Sequence, residues 1–450
     1  MAIGARRTDQ PKCAPPSRAG TRTACGRDWL LGIPGEIDVA VVGAGAAGLA
    51  TARRVVERRP DLAVLVLEAR DRPGGRAHTV EPPDLDSPLD LGCGWLHGAE
   101  CNPWLPITEE LGLTVDRTPA PWSGQYRDLG FPPEDRRAYR EAAAAFEQRR
   151  AAAEADPVDR LLGALLEPGG PWNGRLDAAS TYYSGAELAE ISVHDAARYR
   201  VRGSDWRVVE GYGHAVALFG AEVPVALDAP VTRIDHGGAA GIQLETPRGT
   251  LRARAAVVTV STGVLAAEAI RFDPPLPDKV EAAQGVPMGL ANKVFLRLAA
   301  PDELPKDGHL IGDPRSSRTG AYHLRPFGRP VIEGYFGDGL ARDLEEAGDA
   351  EAEAFALDEL AGLLGSGFRR RARLLVRTRW GRDAYVRGSY AYARPGAADR
   401  RAVLAAPVGG RLIFAGEATS PDAFTTARGA YESGRRAADE VLGQLGGGRA

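Results

Sequence analysis

Three glycines near the start of the sequence, Gly43, Gly45 and Gly48, have the spacing of a loop that binds phosphate groups. Glycine at these positions allows a tight turn, a close approach of the backbone to a pyrophosphate and close packing of a helix on a strand. A helix that begins at such a loop directs unpaired N–H groups and the positive end of its dipole at the phosphates. We therefore predict a dinucleotide site here, with Ala46 and Ala47 in the same turn.

The residues that follow the next apolar run indicate which dinucleotide binds. Glu68 ends that run, where a carboxylate accepts hydrogen bonds from a ribose hydroxyl. Ala69, Arg70, Gly75 and Arg76 come next and place a flexible glycine pair and a guanidinium beyond the ribose site. A second phosphate contact of this kind suits an extended dinucleotide with a buried pyrophosphate. We predict that FAD binds here rather than NAD.

The elements that position these residues follow from the apolar pattern. Residues 37–42 and 63–67 are short runs typical of buried parallel strands, and residues 46–58 between them have a helical composition. Together they predict a βαβ unit. Residues 133–156 and 351–364 are predicted to be helical, residues 412–415 to form a buried strand and residues 427–445 a closing helix.

Nucleotide-binding features near both ends and in the middle of the sequence predict interleaved domains. We predict an α/β fold in which a Rossmann-type FAD-binding domain comprises residues 36–100, 205–275 and 385–445. A substrate-binding domain, a mixed sheet with helices, comprises residues 101–204 and 276–384. Residues 1–35 are rich in Pro, Arg, Thr and Gly and are predicted to be a flexible tail.

The composition argues against several classes of protein. Lys and Arg number 56 and Asp and Glu 60, so the net charge of -4 provides no basic surface for nucleic acid or for a membrane. The cysteines Cys13, Cys25, Cys93 and Cys101 form no CxxC pair, and the histidines have no metal-binding spacing. We predict no metal, a reducing compartment and a cytoplasmic protein, with the oligomeric state left open.

Beyond these features, the sequence resembles the flavin-containing amine oxidase family, most closely its polyamine oxidase branch, over about residues 37–445. The resemblance lies in the order and spacing of several short stretches. They are positions 43–49, 68–76, 91–98, 272–277, 292–296, 380, 388–390, 414–419 and 429–431.

The resemblance implies a catalytic role for Lys293, which in this family holds a water against flavin N5. A cation or polarised water there stabilises negative charge as O₂ accepts electrons. Apolar and other residues alternate over positions 292–298, and that pattern taken alone also fits an exposed lysine on a strand.

The resemblance also implies which residues lie on the substrate side of the flavin, and the sequence departs from the family pattern at two positions. Trp380 and Tyr390 correspond to aromatic residues that hold an amine by packing and cation–π attraction, and His97 to a histidine near the entrance. Ser389 stands where monoamine oxidases carry the cysteine that attaches the flavin, so FAD is predicted to bind non-covalently. Thr426 stands where many of them have a second aromatic cage residue.

FAD contacts are implied in several other parts of the sequence. Glu417 follows a buried strand and is expected to bind FAD through its backbone or carboxylate, while the helix from Ala427 aims its N-terminus at the flavin. The backbone of Val231 is expected to meet the adenine. The complete set added by the resemblance is Gly94, Trp95, Val231, Trp380, Gly416, Glu417 and Thr426.

The implied activity is an FAD-dependent oxidation of amines, either primary amines or polyamines, with a small-molecule amine and O₂ as the partners. Hydride transfer to flavin N5 gives an imine, then an aldehyde and H₂O₂. Three alternatives stay open. An L-amino acid oxidase of the same fold requires an arginine for the substrate carboxylate, an FAD-dependent desaturase requires neither Lys293 nor Trp380, and a flavin-bound interaction module requires no catalysis.

Overall fold

The structure is a computed structural model that describes residues 33–239 and 241–446. Most of the predicted flexible tail, residues 1–35, lies outside the described residues, and so do Cys13 and Cys25. Within the described ranges no helix combines the length and the apolar composition needed to cross a membrane. The same part of the chain holds no group of three or more His, Cys, Asp or Glu side chains that could bind a metal ion.

Strands and helices alternate along the described residues. The strands are β1 Glu36–Val42, β2 Val64–Leu67, β3 Thr79–Val80, β4 Leu89–Asp90, β5 Val115–Asp116, β6 Arg207–Val208, β7 Val225–Ala226, β8 Arg233–Asp235, β9 Ile242–Thr246, β10 Gly249–Val258, β11 Arg271–Asp273, β12 Met288–Gly289, β13 Ala291–Leu298, β14 Gly308–Ile311, β15 Ala321–Leu324, β16 Val331–Gly337, β17 Ala372–Arg377, β18 Tyr390–Ala391 and β19 Leu412–Phe414. The α-helices are α1 Ala46–Arg58, α2 Trp104–Glu110, α3 Pro133–Ala153, α4 Asn173–Ser184, α5 Val193–Arg198, α6 Tyr212–Phe219, α7 Thr262–Ala266, α8 Pro277–Gly285, α9 Asp338–Ala347, α10 Asp349–Leu364, α11 Arg400–Ala405 and α12 Ala427–Gly446.

The larger sheet is built around β1, which pairs in parallel with β2 on one side and with β10 on the other. The end of β10 also pairs in parallel with β19, while its first half pairs antiparallel with β9. The order is β11-β8-β9-β10-β1-β2-β7, with β19 beside β10. Apolar side chains on both faces suit a central parallel strand that is covered on both sides.

Two apolar cores cover the opposite faces of this sheet. Val39 and Val41 point into the core shared with α1 and α12, whereas Ala40 and Val42 point into the core shared with α8 and α11. Helices α1 and α12 approach closely because α12 has Gly434, where a Cβ would lie 2.2 Å from the carbonyl oxygen of an α1 residue. The predicted Rossmann-type α/β fold is confirmed.

The second sheet has the order β14-β15-β16-β13-β17, and every pair in it is antiparallel. One face packs on α9 and α10 in a core that contains Val294, Leu296 and Leu298. The other face of β13 is also covered, so every residue of this strand except Arg297 is buried. The alternation read from the sequence therefore marks two buried environments rather than a buried and an exposed face.

Two helices in segments predicted for the substrate-binding domain pack instead on the larger sheet. Trp104 of α2 lies in the core that contains α1 and α12. Ala282 and Ala283 of α8 lie in the opposite core. Both segments are apolar on the face that meets the sheet. A contact between distant parts of the chain therefore holds them against the larger sheet. The long helix predicted at 133–156 is present as α3.

Candidate active site

A cavity of about 430 Å³ lies at the carboxyl ends of β1, β2 and β10, where the larger sheet meets β13 and β16. Open α/β sheets bind their ligands at this edge because the loops that follow parallel strands converge there. Loops that follow these strands line the cavity together with residues of β13 and β16.

The glycine loop forms one wall of the cavity through Gly43, Gly45, Ala46 and Ala47. A Cβ added to Gly45 would have no neighbour within 4 Å, so this backbone faces open space. Helix α1 begins without a capping side chain, which leaves N–H groups of its first turn for a ligand. Gly48 is not part of the wall. A Cβ there would lie 1.9 Å from the Gly43 carbonyl oxygen, so this glycine serves packing.

Glu68 lies at the end of β2 with its carboxylate on the cavity wall. The carboxylate accepts hydrogen bonds from the backbone N–H of Ala44, at 2.7 Å, and from that of Arg70, at 3.0 Å. Each oxygen keeps a lone pair for a ribose hydroxyl. Ala69 and Arg70 also line the cavity, and the Arg70 guanidinium pairs with Asp383, a residue that the sequence did not point to.

Arg76 and Glu417 form an ion pair on the wall, with 2.9 Å between Nη1 and Oε1. Gly75 and Gly416 precede them with positive φ angles of 59° and 131°. Only glycine adopts such angles readily, so the loops can turn toward the cavity at these points. At the start of α12 the Thr426 hydroxyl accepts a hydrogen bond of 3.0 Å from the backbone N–H of Gly429. Thr426 and Ala427 line the cavity, so the N-terminus of α12 faces it.

Val231 lines the far end of the cavity. Among the described residues its backbone N–H and C=O have no hydrogen-bond partner. A backbone pair of this kind can bind the edge of an adenine ring, because adenine offers a donor and an acceptor side by side. The predicted contact with adenine stays a prediction.

Lys293 reaches the cavity from β13 and is 5 % exposed. Its Nζ donates a hydrogen bond of 2.8 Å to the carbonyl oxygen of Asp90 and lies 2.9 Å from Oε1 of Glu333. An exposed lysine on a strand, the alternative left open by the alternation, does not describe this residue. Glu333 was missed because it follows forty positions later and meets Lys293 only through the pairing of β13 with β16.

Aromatic side chains surround Lys293. Trp380 and Tyr390 line the cavity as predicted, and Tyr335 joins them from β16, where it stands directly opposite Lys293 in the strand register. The hydroxyls of Tyr335 and Tyr390 are in hydrogen-bond contact. The backbone N–H of Trp380 donates to the Asn292 side chain at 3.1 Å, which fixes its position. The sequence signal for Tyr335 is an aromatic residue on a buried strand, which is too common to single it out.

Besides Gly48, three predicted site residues lie away from the wall. Gly94 sits behind Lys293, where a Cβ would lie 3.4 Å from Nζ. Trp95 packs edge-on against Trp122, with ring centroids 4.7 Å apart, instead of contacting the FAD cavity. His97 bonds through Nδ1 to Asp205 Oδ1 at 2.7 Å and is not part of the cavity lining as the structure describes it. The loop that carries them lies between the two sheets: Leu96 packs in the core of the larger sheet, and the Trp95 ring stacks on His323 of the second sheet.

Comparison with known protein families shows which family this chain belongs to. A family model described as "Flavin containing amine oxidoreductase" matches residues 175–442, and one described as "NAD(P)-binding Rossmann-like domain" matches residues 41–110. The chain belongs to the flavin-containing amine oxidoreductase family. The resemblance found in the sequence is thereby confirmed.

Relatives of this amine oxidase match over most of its length. Polyamine oxidase 4 of Oryza sativa subsp. japonica is 30% identical over 436 residues, which cover 89% of this chain and 88% of the relative. A putrescine oxidase structure superposes with a TM-score of 0.74 at 22% identity, over 91% of this chain and 99% of that one. Cyclohexylamine oxidase from Brevibacterium oxydans IH-35A gives 0.74 at 21%, with the same coverage.

FAD is the cofactor of this amine oxidase, and the described residues fit it. The open face of Gly45 and the uncapped start of α1 suit a pyrophosphate. The Glu68 carboxylate suits a ribose, and the free backbone groups of Val231 suit an adenine. The cavity continues from these residues to Lys293 and Trp380, so the reactive ring has a place beside the second sheet.

FAD is expected to be held without a covalent bond. The hydroxyl of Ser389 is engaged with the backbone of Ala291, donating at 2.7 Å and accepting at 2.9 Å. Cys93 also lines the cavity, but burial and the nearby Asp90 raise the pKa of its thiol to about 12. A neutral thiol is a poor nucleophile.

Precipitation with acid or heat should therefore release the yellow colour of FAD into the supernatant. A pellet that stays yellow after washing would contradict this prediction.

Proposed function

We propose that this enzyme oxidises a neutral amine, either a primary amine or a polyamine, in preference to an α-amino acid. Bound FAD supplies the acceptor for the hydride that leaves the carbon next to the substrate nitrogen, and O₂ takes up the electrons. The substrate becomes an imine, which water converts to an aldehyde or ketone, and O₂ becomes H₂O₂. The chain's own residues orient the amine and set the charge around it.

The pairing of the cations around the cavity is the observation that carries this proposal. Lys293 is paired with Glu333, and Arg76 with Glu417. Arg70 is paired with Asp383 beside the glycine loop. Arg387 also lines the cavity, and its Cβ and carbonyl oxygen lie against Gly263 of α7. The carboxylate of an amino acid placed next to Lys293 would meet a cation that is already paired with Glu333, and such burial is unfavourable.

The aromatic wall favours an amine without its proton. Trp380, Tyr335 and Tyr390 present largely apolar faces beside the Lys293 ammonium. Burial raises the pKa of Tyr390, which therefore stays an uncharged phenol. A protonated amine would lose hydration and meet a like charge, so this surface stabilises the neutral form, whose lone pair the reaction requires. The names polyamine oxidase, putrescine oxidase and cyclohexylamine oxidase support an amine as the substrate.

The substrate class is tested by comparing kcat/KM for a diamine, an N-acetylated polyamine, an arylalkylamine and a large apolar L-amino acid. A buried carboxylate left without a partner costs at least about 1–3 kcal/mol, so the best amine should exceed the amino acid by about tenfold or more. At low substrate concentration the rate should rise with pH toward the amine's own pKa. An amino acid that won by that margin would replace the proposal with an L-amino acid oxidase. The absence of H₂O₂ with every substrate would point to a desaturase.

A further inference from the structure

Glu333 enters the proposal above only as the ion-pair partner of Lys293. On β16 it follows Val331 and precedes Tyr335 on the same face, so it stands between an apolar core and the cavity. Its side chain is 17% exposed, and its Oε1 lies 2.9 Å from Nζ of Lys293. Within the described part of the chain, Lys293 is the one hydrogen-bond partner of this carboxylate.

The geometry of Lys293 shows what the carboxylate does. An ammonium has three N–H donors and no acceptor. The Asp90 carbonyl oxygen takes one and Glu333 takes another. The third therefore remains for the cavity. The Asp90 carboxylate is engaged elsewhere: its oxygens accept hydrogen bonds from the Thr79 hydroxyl at 2.6 Å and from the backbone N–H groups of Tyr212 at 3.0 Å and Gly213 at 3.2 Å.

Charged groups on neighbouring elements act on the same pair. Burial by itself raises the pKa of the Glu333 carboxyl, but Lys293, His323 and Arg207 together hold that pKa below its usual range. Glu333 is thus ionised at neutral pH. Burial of an ammonium favours loss of its proton, and an opposite charge within hydrogen-bond distance opposes that loss. The titratable or charged groups around the pair are Asp90, Cys93, Tyr335, Tyr390, His323, Arg207 and Arg329.

We propose that Glu333 is a positioning residue that keeps Lys293 in its charged ammonium form and directs the third N–H of that ammonium into the cavity. This inference rests on the proposed function, since the charge matters where electrons pass to O₂. A fixed cation stabilises the negative charge that develops at that step. Without Glu333, the buried lysine would give up its proton more easily and would hold its N–H groups less firmly.

The chain is well suited to a direct test because it contains only four lysines, Lys12, Lys279, Lys293 and Lys306. Lysine labelled with ¹³C at Cε gives few signals, and the Lys293→Met variant assigns the one of interest. In the FAD-loaded Glu333→Gln variant we expect the Lys293 signal to titrate about 1–3 pH units lower than in the wild type, the effect of an opposite charge at close range. An unchanged midpoint would overturn the proposal. No substrate is needed, so this result is independent of which amine is oxidised.

Two further variants separate positioning from packing. Glu359→Gln is the matched control, because Glu359 is a carboxylate of the same domain that bonds to Tyr322 and Gly320 and does not contact Lys293. It should leave the Lys293 signal unchanged. Glu333→Asp keeps the charge and should restore the midpoint at least in part. If Asp gave the same displacement as Gln, the role would be one of packing.

The reciprocal experiment applies even if Glu333→Gln fails to fold. In Lys293→Met, Glu333 loses its hydrogen-bonded cation while it stays largely buried, so the raised proton affinity that burial produces should dominate. Infrared difference spectra should then show a protonated carboxyl band near neutral pH that is absent from the wild type and from Glu333→Gln/Lys293→Met. If Glu333 stayed ionised in Lys293→Met, the ion pair with Lys293 would not be what keeps the Glu333 carboxyl group charged, and the proposal would be overturned.

Discussion

Lys293→Met should slow reoxidation of the reduced enzyme by O₂ far more than it slows reduction by the amine. The buried ammonium presents one free N–H to the cavity, and losing one such electrostatic contact in a preorganised site reduces a rate by about 10²–10³-fold. Methionine keeps the length and the apolar stem of the side chain, so the aromatic wall of Trp380 and Tyr390 should stay in place. Rapid mixing under anaerobic and aerobic conditions measures the two half-reactions separately.

The control for this experiment is Lys306→Met, which makes the same chemical change at an exposed position outside the cavity lining. Both of its half-reactions should match the wild type. If Lys293→Met also kept the wild-type rate of reoxidation, Lys293 would be a structural residue that joins Asp90 to the second sheet. A defect confined to reduction would instead place Lys293 in substrate binding.

Gly45→Ala should fold normally and lose FAD. Gly45 has φ −76° and ψ 179°, which alanine adopts without strain, and its Cβ would touch no protein atom within 4 Å. The methyl group would instead occupy the space where the pyrophosphate approaches the start of α1. Losing two N–H bonds to phosphate at about 1.5–3 kcal/mol each weakens binding by about 10²-fold or more. Titration of the FAD-free protein measures this change, with circular dichroism as the check on folding.

Gly48→Ala is the informative contrast, because the same methyl group at this position meets the backbone. Its Cβ would lie 1.9 Å from the carbonyl oxygen of Gly43, inside the turn itself. We expect a lower melting temperature for this variant even without FAD, unlike Gly45→Ala. Equal melting temperatures for the two variants would show that the two glycines do not divide the roles of ligand approach and packing.

The local features of the fold could be predicted from the sequence. The strand at 37–42, the helix at 46–58 and the carboxylate of Glu68 follow one another closely, and their contacts are set by the βαβ geometry. The glycine positions carry their own physical reason, so they marked the dinucleotide site without further information. Lys293 required the family resemblance, since alternation on a strand does not say what covers each face.

Contacts between distant segments could not be predicted. Glu333 and Tyr335 reach Lys293 only because β16 pairs with β13 in one particular register, and a shift by one residue would turn both away. Asp383 meets Arg70 although 313 positions separate them in the sequence. The resemblance also implied that His97 lies near the substrate entrance, which stays a prediction, while its bond to Asp205 over 108 positions could not be predicted.

The last helix completes a cavity that the first strand begins. Gly43 and Gly45 form one wall, but Thr426, Ala427 and Ala430 at the start of α12 form another, and β19 reaches the sheet only just before them. Translation must therefore reach the residues around position 430 before this pocket has all its walls. Until then the first βαβ unit forms only part of the wall. Because a ligand stabilises the folded state according to its free concentration, free FAD should stabilise the fold once these distant segments have come together.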